Sequence, residues 1–184
     1  MTQQSDNTVV GLLLRQHTEI RNLFSTVEKS TGKARDEAFD RLRHLLAVHE
    51  TAEEEIVHPF ARRTIGNGER IIDARLKEEK SAKELLQELE KSGTGSPEFD
   101  SLFERLHKAV ESHAEQEERL EFPELADKAT AQQLKGMQAA VKAAEAVAPT
   151  HPHPGTESAA KNLALGPMAA VMDRTRDAIR KAMS

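Results

Sequence analysis

One phrase occurs twice in this chain, and it limits what the chain can fold into. The first copy is His49-Glu50-Thr51-Ala52-Glu53-Glu54-Glu55-Ile56-Val57-His58-Pro59. The second is His113-Ala114-Glu115-Gln116-Glu117-Glu118-Arg119-Leu120-Glu121-Phe122-Pro123. Both read H-x-x-x-E-E-x-(I/L)-x-x-P. Residues four apart lie one above the other on a helix, so each copy offers an imidazole and a carboxylate to the same point in space. The proline is expected to end or kink each helix one to two turns later.

An isolated H-x-x-x-E is usually part of a solvated charged face. Position argues otherwise here. At about 100° per residue, Phe39, Leu42, Leu46, His49, Glu53, Ile56 and Phe60 fall in one stripe. Phe99, Leu102, Phe103, Leu106, Val110, His113, Glu117 and Leu120 fall in another. Each His-Glu pair therefore lies inside an apolar seam. A buried ionised carboxylate is costly unless it is paired or binds a metal. Two such pairs in matching places favour a metal.

Composition removes other chemistries. The chain has 184 residues and a net charge of −5, with no basic cluster interleaved with aromatics, so a nucleic-acid partner is not expected. There is no Cys, hence no disulfide frame, zinc-thiolate site or thiol nucleophile. There is no Tyr and no Trp, so no tyrosine ligand or tyrosyl radical. The apolar run Val9 to Leu14 contains Gly11 and stops at Arg15, too short for a signal segment or a membrane span. The expectation is a soluble, cytoplasmic protein.

In chain order, residues up to about 8 are expected to be disordered or to serve as a cap, with Thr8 or Asn7 capping the first helix. Val10, Leu13, Leu14, His17, Ile20, Phe24 and Val27 make the first helical stripe. A second helix runs from about Arg35 to Phe60, with His44 and His58 expected at the surface. A third covers about Arg70 to Lys91, with Ile72, Leu76, Glu79, Ala82, Leu86 and Leu89 on its inner face. A Gly- and Pro-punctuated loop precedes a fourth, about Pro97 to Phe122, with His107 to one side. Aligning Glu28-Lys29-Ser30 with Glu90-Lys91-Ser92 extends the repeat, and His17 then matches Glu79. Short connections make neighbouring helices antiparallel, which predicts an all-α, up-down-up-down four-helix bundle with additional C-terminal helices. Residues 1–126 would form the bundle. Residues 127–184 would form a helical extension packing on it or on a second subunit, a homodimer through the basic amphipathic last helix being one form. His151 and His153, in the Pro149–Gly155 stretch, read as exposed loop residues, with metal binding the alternative.

The order H, then H-x-x-x-E, then H-x-x-x-E resembles the hemerythrin-like, or HHE cation-binding, domain family over about residues 9 to 125. That resemblance implies a non-haem di-iron centre bridged by carboxylates. It would make His17, His49 and His113 terminal nitrogen ligands and Glu53 and Glu117 the bridges. Family members usually carry a His on the third helix, and here there is none. Glu79 is the replacement that the stripe and the repeat select, with Lys80 at its edge. Glu50 is a second candidate, because His49-Glu50-x-x-Glu53 has the H-E-x-x-E form of a relative, the iron-sensing domain of a ubiquitin-ligase subunit.

Imidazole and carboxylate donors suit iron, manganese or zinc. Fewer imidazoles and more carboxylates favour ferric iron, which counts against a reversible oxygen carrier. Non-haem iron, two ions per chain, is the expected cofactor, with manganese or zinc as substitutes. Dioxygen, peroxide or another small diatomic is the expected partner, and a membrane is not. The function expected is oxygen, peroxide or iron sensing and handling. A peroxide-consuming di-iron enzyme, or a metal-free bundle acting in protein interaction, are the alternatives.

Overall fold

Thr8 begins the first helix as the sequence predicts. Its side chain accepts from the Gly11 N–H at 3.3 Å, satisfying one of the helix's free donors. The computed structural model describes residues 7–147, 170–177 and 179–180. These residues are helical throughout apart from short connections. The elements are α1 (Val9–Lys29), α2 (Gly32–Ala52), α3 (His58–Thr64), α4 (Gly68–Ser92), α5 (Phe99–Gln116), α6 (Phe122–Lys128) and α7 (Ala131–Val147). A helical segment at 170–177 follows. His151, His153 and the rest of the Pro149–Gly155 stretch lie outside the described residues. So do residues 1–6 and most of the last predicted helix.

The prolines do not end their helices. Between α2 and α3 the chain winds through a π-turn, Glu53–Val57, and between α5 and α6 through another, Glu117–Glu121. In the first, the His58 N–H bonds to the Glu53 carbonyl; in the second, the Phe122 N–H bonds to the Glu117 carbonyl. Each i→i+5 bond comes one residue before a proline. Proline has no N–H to give, and its ring conflicts with the carbonyl four residues back. A widened turn accommodates both problems without breaking the rod. The bundle is thus α1, α2–α3, α4 and α5–α6.

The wider turns also change which residues face inward. His58 is not at the surface but 2% exposed. On a regular helix it would lie about half a turn from His49, nine residues at about 100° each. The π-turn swings it into the seam. The same shift turns Leu120 out, to 43% exposure, and brings Glu121 in. Leu14 is also exposed, while its neighbours Leu12 and Leu13 are buried.

Two apolar layers result. One gathers Phe24, Phe39, Leu42, Phe99, Phe103 and Leu106, with Phe99 stacked on Phe103 at 5.4 Å and edge-on to Phe39 at 5.2 Å. The other holds Leu13, Val57, Ile72, Phe122, Leu125 and Val141. Between them lies the level of His17, His49, Glu53, His113 and Glu117. Helix α7 packs on α1, where Gln138 donates to the Thr8 carbonyl at 3.2 Å. In the last segment, Val171 and Met172 join the first layer and Ile179 the second, so its apolar side is used against the chain's own bundle. Among the described residues no helix is long and apolar enough to cross a membrane.

The corner between α3 and α4 depends on a glycine. A β-carbon at Gly68 would lie 2.5 Å from the Arg62 carbonyl oxygen and 2.7 Å from that of Ala61. Both are backbone atoms, and they can yield only if α3 moves. Gly136, inside α7, has nothing within 4 Å of the same position. Gly68→Ala is expected to destabilise the fold by about 1–3 kcal/mol. Gly136→Ala is expected to stabilise it by roughly 0.5–1 kcal/mol through helix propensity. Urea titrations of the two variants check the opposite signs.

Candidate metal centre

Three imidazoles are oriented in the same way. His17 donates from Nδ1 to Glu118 Oε1 at 2.8 Å, His49 from Nδ1 to Gln16 Oε1 at 2.8 Å, and His113 from Nδ1 to Glu78 Oε2 at 3.1 Å. A neutral imidazole that donates from one nitrogen presents a lone pair on the other. The Nε2 atoms of His17 and His49 face each other across 3.1 Å. That of His113 has no hydrogen-bond partner among the described residues. Each Nε2 also approaches a carboxylate at 3.3 Å: His17 to Glu117, His49 to Glu53 and His113 to Glu117. Inward ring nitrogens and carboxylate oxygens therefore converge on one buried point.

Among the described residues the carboxylates lack donors. Both oxygens of Glu53 and both of Glu117 are buried without a hydrogen bond, and so is Oε2 of Glu121. Burial, then the charge of Glu117, raises the Glu53 carboxyl well above its usual range. Burial would raise Glu117 too, but His113 and His17 outweigh it and hold that carboxyl low. Burial, then His17, pushes the His49 imidazole well below its ordinary value. For His113, burial works downward but Glu117 prevails, and the ring is raised.

Two groups of ligand-type atoms stand out, each within 4.8 Å: His17, His49, Glu53 and Glu117, and His58, Glu117 and Glu121. Glu117 belongs to both, as a carboxylate shared between two cations would. Orphaned buried oxygens and imidazoles with outward-held N–H groups fit a metal, and the donor set of nitrogen and oxygen suits iron, manganese or zinc.

The candidates for the missing third-helix His are both buried. Glu79 Oε1 accepts from His58 Nε2 at 2.6 Å, and Glu79 Oε2 lies 3.4 Å from Lys83 Nζ. The cation beside Glu79 is therefore Lys83, one turn on, and Lys80 is exposed. Glu50 is outside both close groups; its nearest cation is Lys83 at 3.9 Å. Burial, then the charge of Glu79, pushes its carboxyl up to about 8.

His58 and Glu121 are the residues that helical periodicity missed. His58 Nδ1 lies 3.3 Å from Glu121 Oε1. Burial alone would lower this imidazole, but its hydrogen bonds to Glu121 and Glu79 outweigh that and push it up to about 11. The signal available in the sequence is the proline six residues after each inward Glu, which marks a possible change of helical pitch. Two residues expected to be outside the ligand set prove to support it. Glu118 orients His17, and Glu54 pairs with Lys83.

The Hemerythrin HHE cation binding domain matches residues 8–125 of this chain. The fold resembles a crystal structure of a hemerythrin HHE cation-binding domain-containing protein from Mycobacterium kansasii, with a TM-score of 0.68 and 20% identity over 89% of this chain and 97% of that one. A DNA nickase from Nostoc sp. strain PCC 7120 is 24% identical over 145 residues, which cover 78% of this chain. The match spans only 41% of the nickase's own length. With its family domain matched across the whole bundle, the chain belongs to the hemerythrin HHE cation-binding domain family.

Proposed function

We propose that this bundle holds a non-haem iron centre of up to two ions and handles oxygen, peroxide or iron. The observation that carries this reading is the shared orientation of His17, His49 and His113, each with Nδ1–H anchored and Nε2 aimed at orphaned carboxylates. His17, His49 and His113 would bind through Nε2, with Glu53 and Glu117 as the carboxylates between the ions. Bound iron would supply redox chemistry and an open coordination position. Manganese or zinc would fit the same donors.

The chain's own contribution is orientation and exclusion. Glu118, Gln16 and Glu78 keep the Nδ1 protons in place, so the lone pairs stay directed inward. The apolar layers keep water off the carboxylates. A narrow recess reaches the centre beside His17, His49 and His113, walled by Ile20, Phe24 and Val110. Its size supports a small partner such as dioxygen or peroxide. Arg21 and Glu111 close its outer side through paired contacts of 2.9 and 3.0 Å. A nucleic-acid role like the nickase's draws no support from a chain of net charge −5.

Anaerobic loading with ferrous iron, then air, is expected to give up to about two iron ions per chain and near-ultraviolet bands. These would be easy to see in a protein without Trp or Tyr. Iron far below one per chain would overturn the reading. A steady-state peroxide assay on the loaded protein separates consumption from sensing.

The same arrangement makes metal and stability interdependent. A buried polar group left unsatisfied costs about 1–3 kcal/mol. In metal-free protein the Glu53 carboxyl must either take up a proton or bear an unsatisfied charge beside Glu117; Glu53→Gln does neither and is expected to raise stability by an amount in that range. The same change is expected to abolish most of the gain in melting temperature that metal gives the native chain. Melts of both proteins with metal and with chelator check the reversal. A metal-free variant less stable than the native apo protein would contradict it.

A further inference from the structure

The two halves of the bundle are related by the repeat, and one pair of residues breaks it in an informative way. In the first pair, His17 on α1 stacks on Phe122 at the start of α6, with ring centroids 5.6 Å apart and planes 21° apart. The repeat puts Glu79 on α4 in the place of His17, and His58 at the start of α3 in the place of Phe122. Glu79 and His58 do touch, at 2.6 Å. Each half thus has one further imidazole at this contact. In the first it stands on the long helix; in the second it stands after the π-turn.

We propose that His58 supplies the nitrogen that the third helix lacks, and that Glu79 holds His58 rather than the metal. This rests on the iron-centre reading above. The other three imidazoles each donate one N–H to a side-chain oxygen and aim the second nitrogen inward. His58 repeats the pattern with Nε2 donating to Glu79, and Nδ1 is the atom left for a cation. Glu79 is fixed in turn by Lys83. The Nδ1 contact to Glu121 is the looser of the two, at 3.3 Å, and Glu121 Oε2 has no partner. His58, Glu121 and the shared Glu117 already lie within 4.8 Å of one another. Entry of a cation displaces the Nδ1 proton, as for any imidazole ligand. The second ion is then held by His58, His113, Glu121 and the two shared carboxylates Glu53 and Glu117, one carboxylate more than on the His17–His49 side.

The test uses the full chain loaded anaerobically with cobalt(II), reading metal per chain and the visible spectrum, with circular dichroism to confirm folding. The native protein is expected to bind two ions. His58→Gln keeps a hydrogen bond to Glu79 but offers no ring nitrogen, and is expected to bind one. Glu79→Gln still accepts from His58 and is expected to bind two, with a native spectrum. The reverse result, one ion in Glu79→Gln and two in His58→Gln, makes Glu79 the ligand and overturns the proposal. If both variants bind one ion, His58→Gly with added imidazole decides. Recovery of the second ion and its spectrum supports ligation, and no recovery overturns it. Native protein that binds no ion defeats the iron-centre reading itself, an outcome distinct from any of these.

Discussion

The structure depends on a level of charge placed where charge is most expensive. Glu53, Glu117 and Glu121 are fully buried, and His17, His49 and His58 nearly so, between two apolar layers. Each unsatisfied buried polar group costs about 1–3 kcal/mol, and a whole domain is stable by only about 5–15 kcal/mol. Six buried carboxylate oxygens without a hydrogen bond among the described residues, Glu50 Oε2 included, are therefore costly on the scale of the fold's stability. The aromatic layer of Phe24, Phe39, Phe99 and Phe103 on one side, and the aliphatic layer around Leu13, Val57 and Leu125 on the other, make that cost bearable. The same layers remove the water that would otherwise solvate the carboxylates. A cation is the one partner that meets all the oxygens and all the inward lone pairs together.

The supporting contacts obey the internal repeat more closely than the ligands do. Gln16 on α1 receives the N–H of His49, and its counterpart Glu78 on α4 receives that of His113. Arg21 on α1 reaches across to Glu118, and its counterpart Lys83 reaches across to Glu54. Each outer helix thus fixes an imidazole in its own half and a glutamate in the other. The halves differ in charge rather than in layout. Gln16 is neutral where Glu78 is acidic, and Phe122 is apolar where His58 is polar. Charge at an N–H acceptor raises the basicity of the imidazole it holds, so in the proposed centre the half of Glu78, Glu79 and Glu121 would suit a harder, more highly charged cation than the half of His17 and His49.

How legible this was in the sequence follows from the period assumed. Stripes at the α-helical spacing place Leu42, Leu46, His49 and Glu53, and Phe103, Leu106, Val110, His113 and Glu117, and all are buried. Past each inward Glu the backbone switches from i→i+4 to i→i+5 bonding, and although Ile56 is still buried the stripes misplace other residues. From there the regular period expects Leu120 inside and His58 outside, and both are reversed. Pro59 and Pro123 point to an end or a kink of the helix, and not to a change of pitch that carries the rod on. The repeat was the better guide on α4. It selected Glu79, which is buried, although the cation that meets it is Lys83 and not Lys80. Which of two adjacent polar residues faces inward follows from helical phase. Which distant partner they meet follows from packing, which one sequence does not display.

The segments after the bundle also act on the centre, through the groups that hold its imidazoles. Glu145 on α7 accepts from Gln16 Nε2 at 2.5 Å. That contact fixes which end of the Gln16 amide is the oxygen, and so fixes Oε1 as the acceptor for His49 Nδ1. With the amide reversed, an N–H would face an N–H, and His49 would have to change tautomer and lose its inward lone pair. On the other side, Arg176 of the last segment donates to Glu55 at 3.1 Å and to Glu54 at 3.2 Å. Glu54 meets Lys83, Lys83 meets Glu79, and Glu79 meets His58. Neither contact touches the buried carboxylates. Both constrain a hydrogen-bond direction beyond the residue they touch, which is the property that turns a polar layer in a bundle into a site with a defined lone-pair geometry.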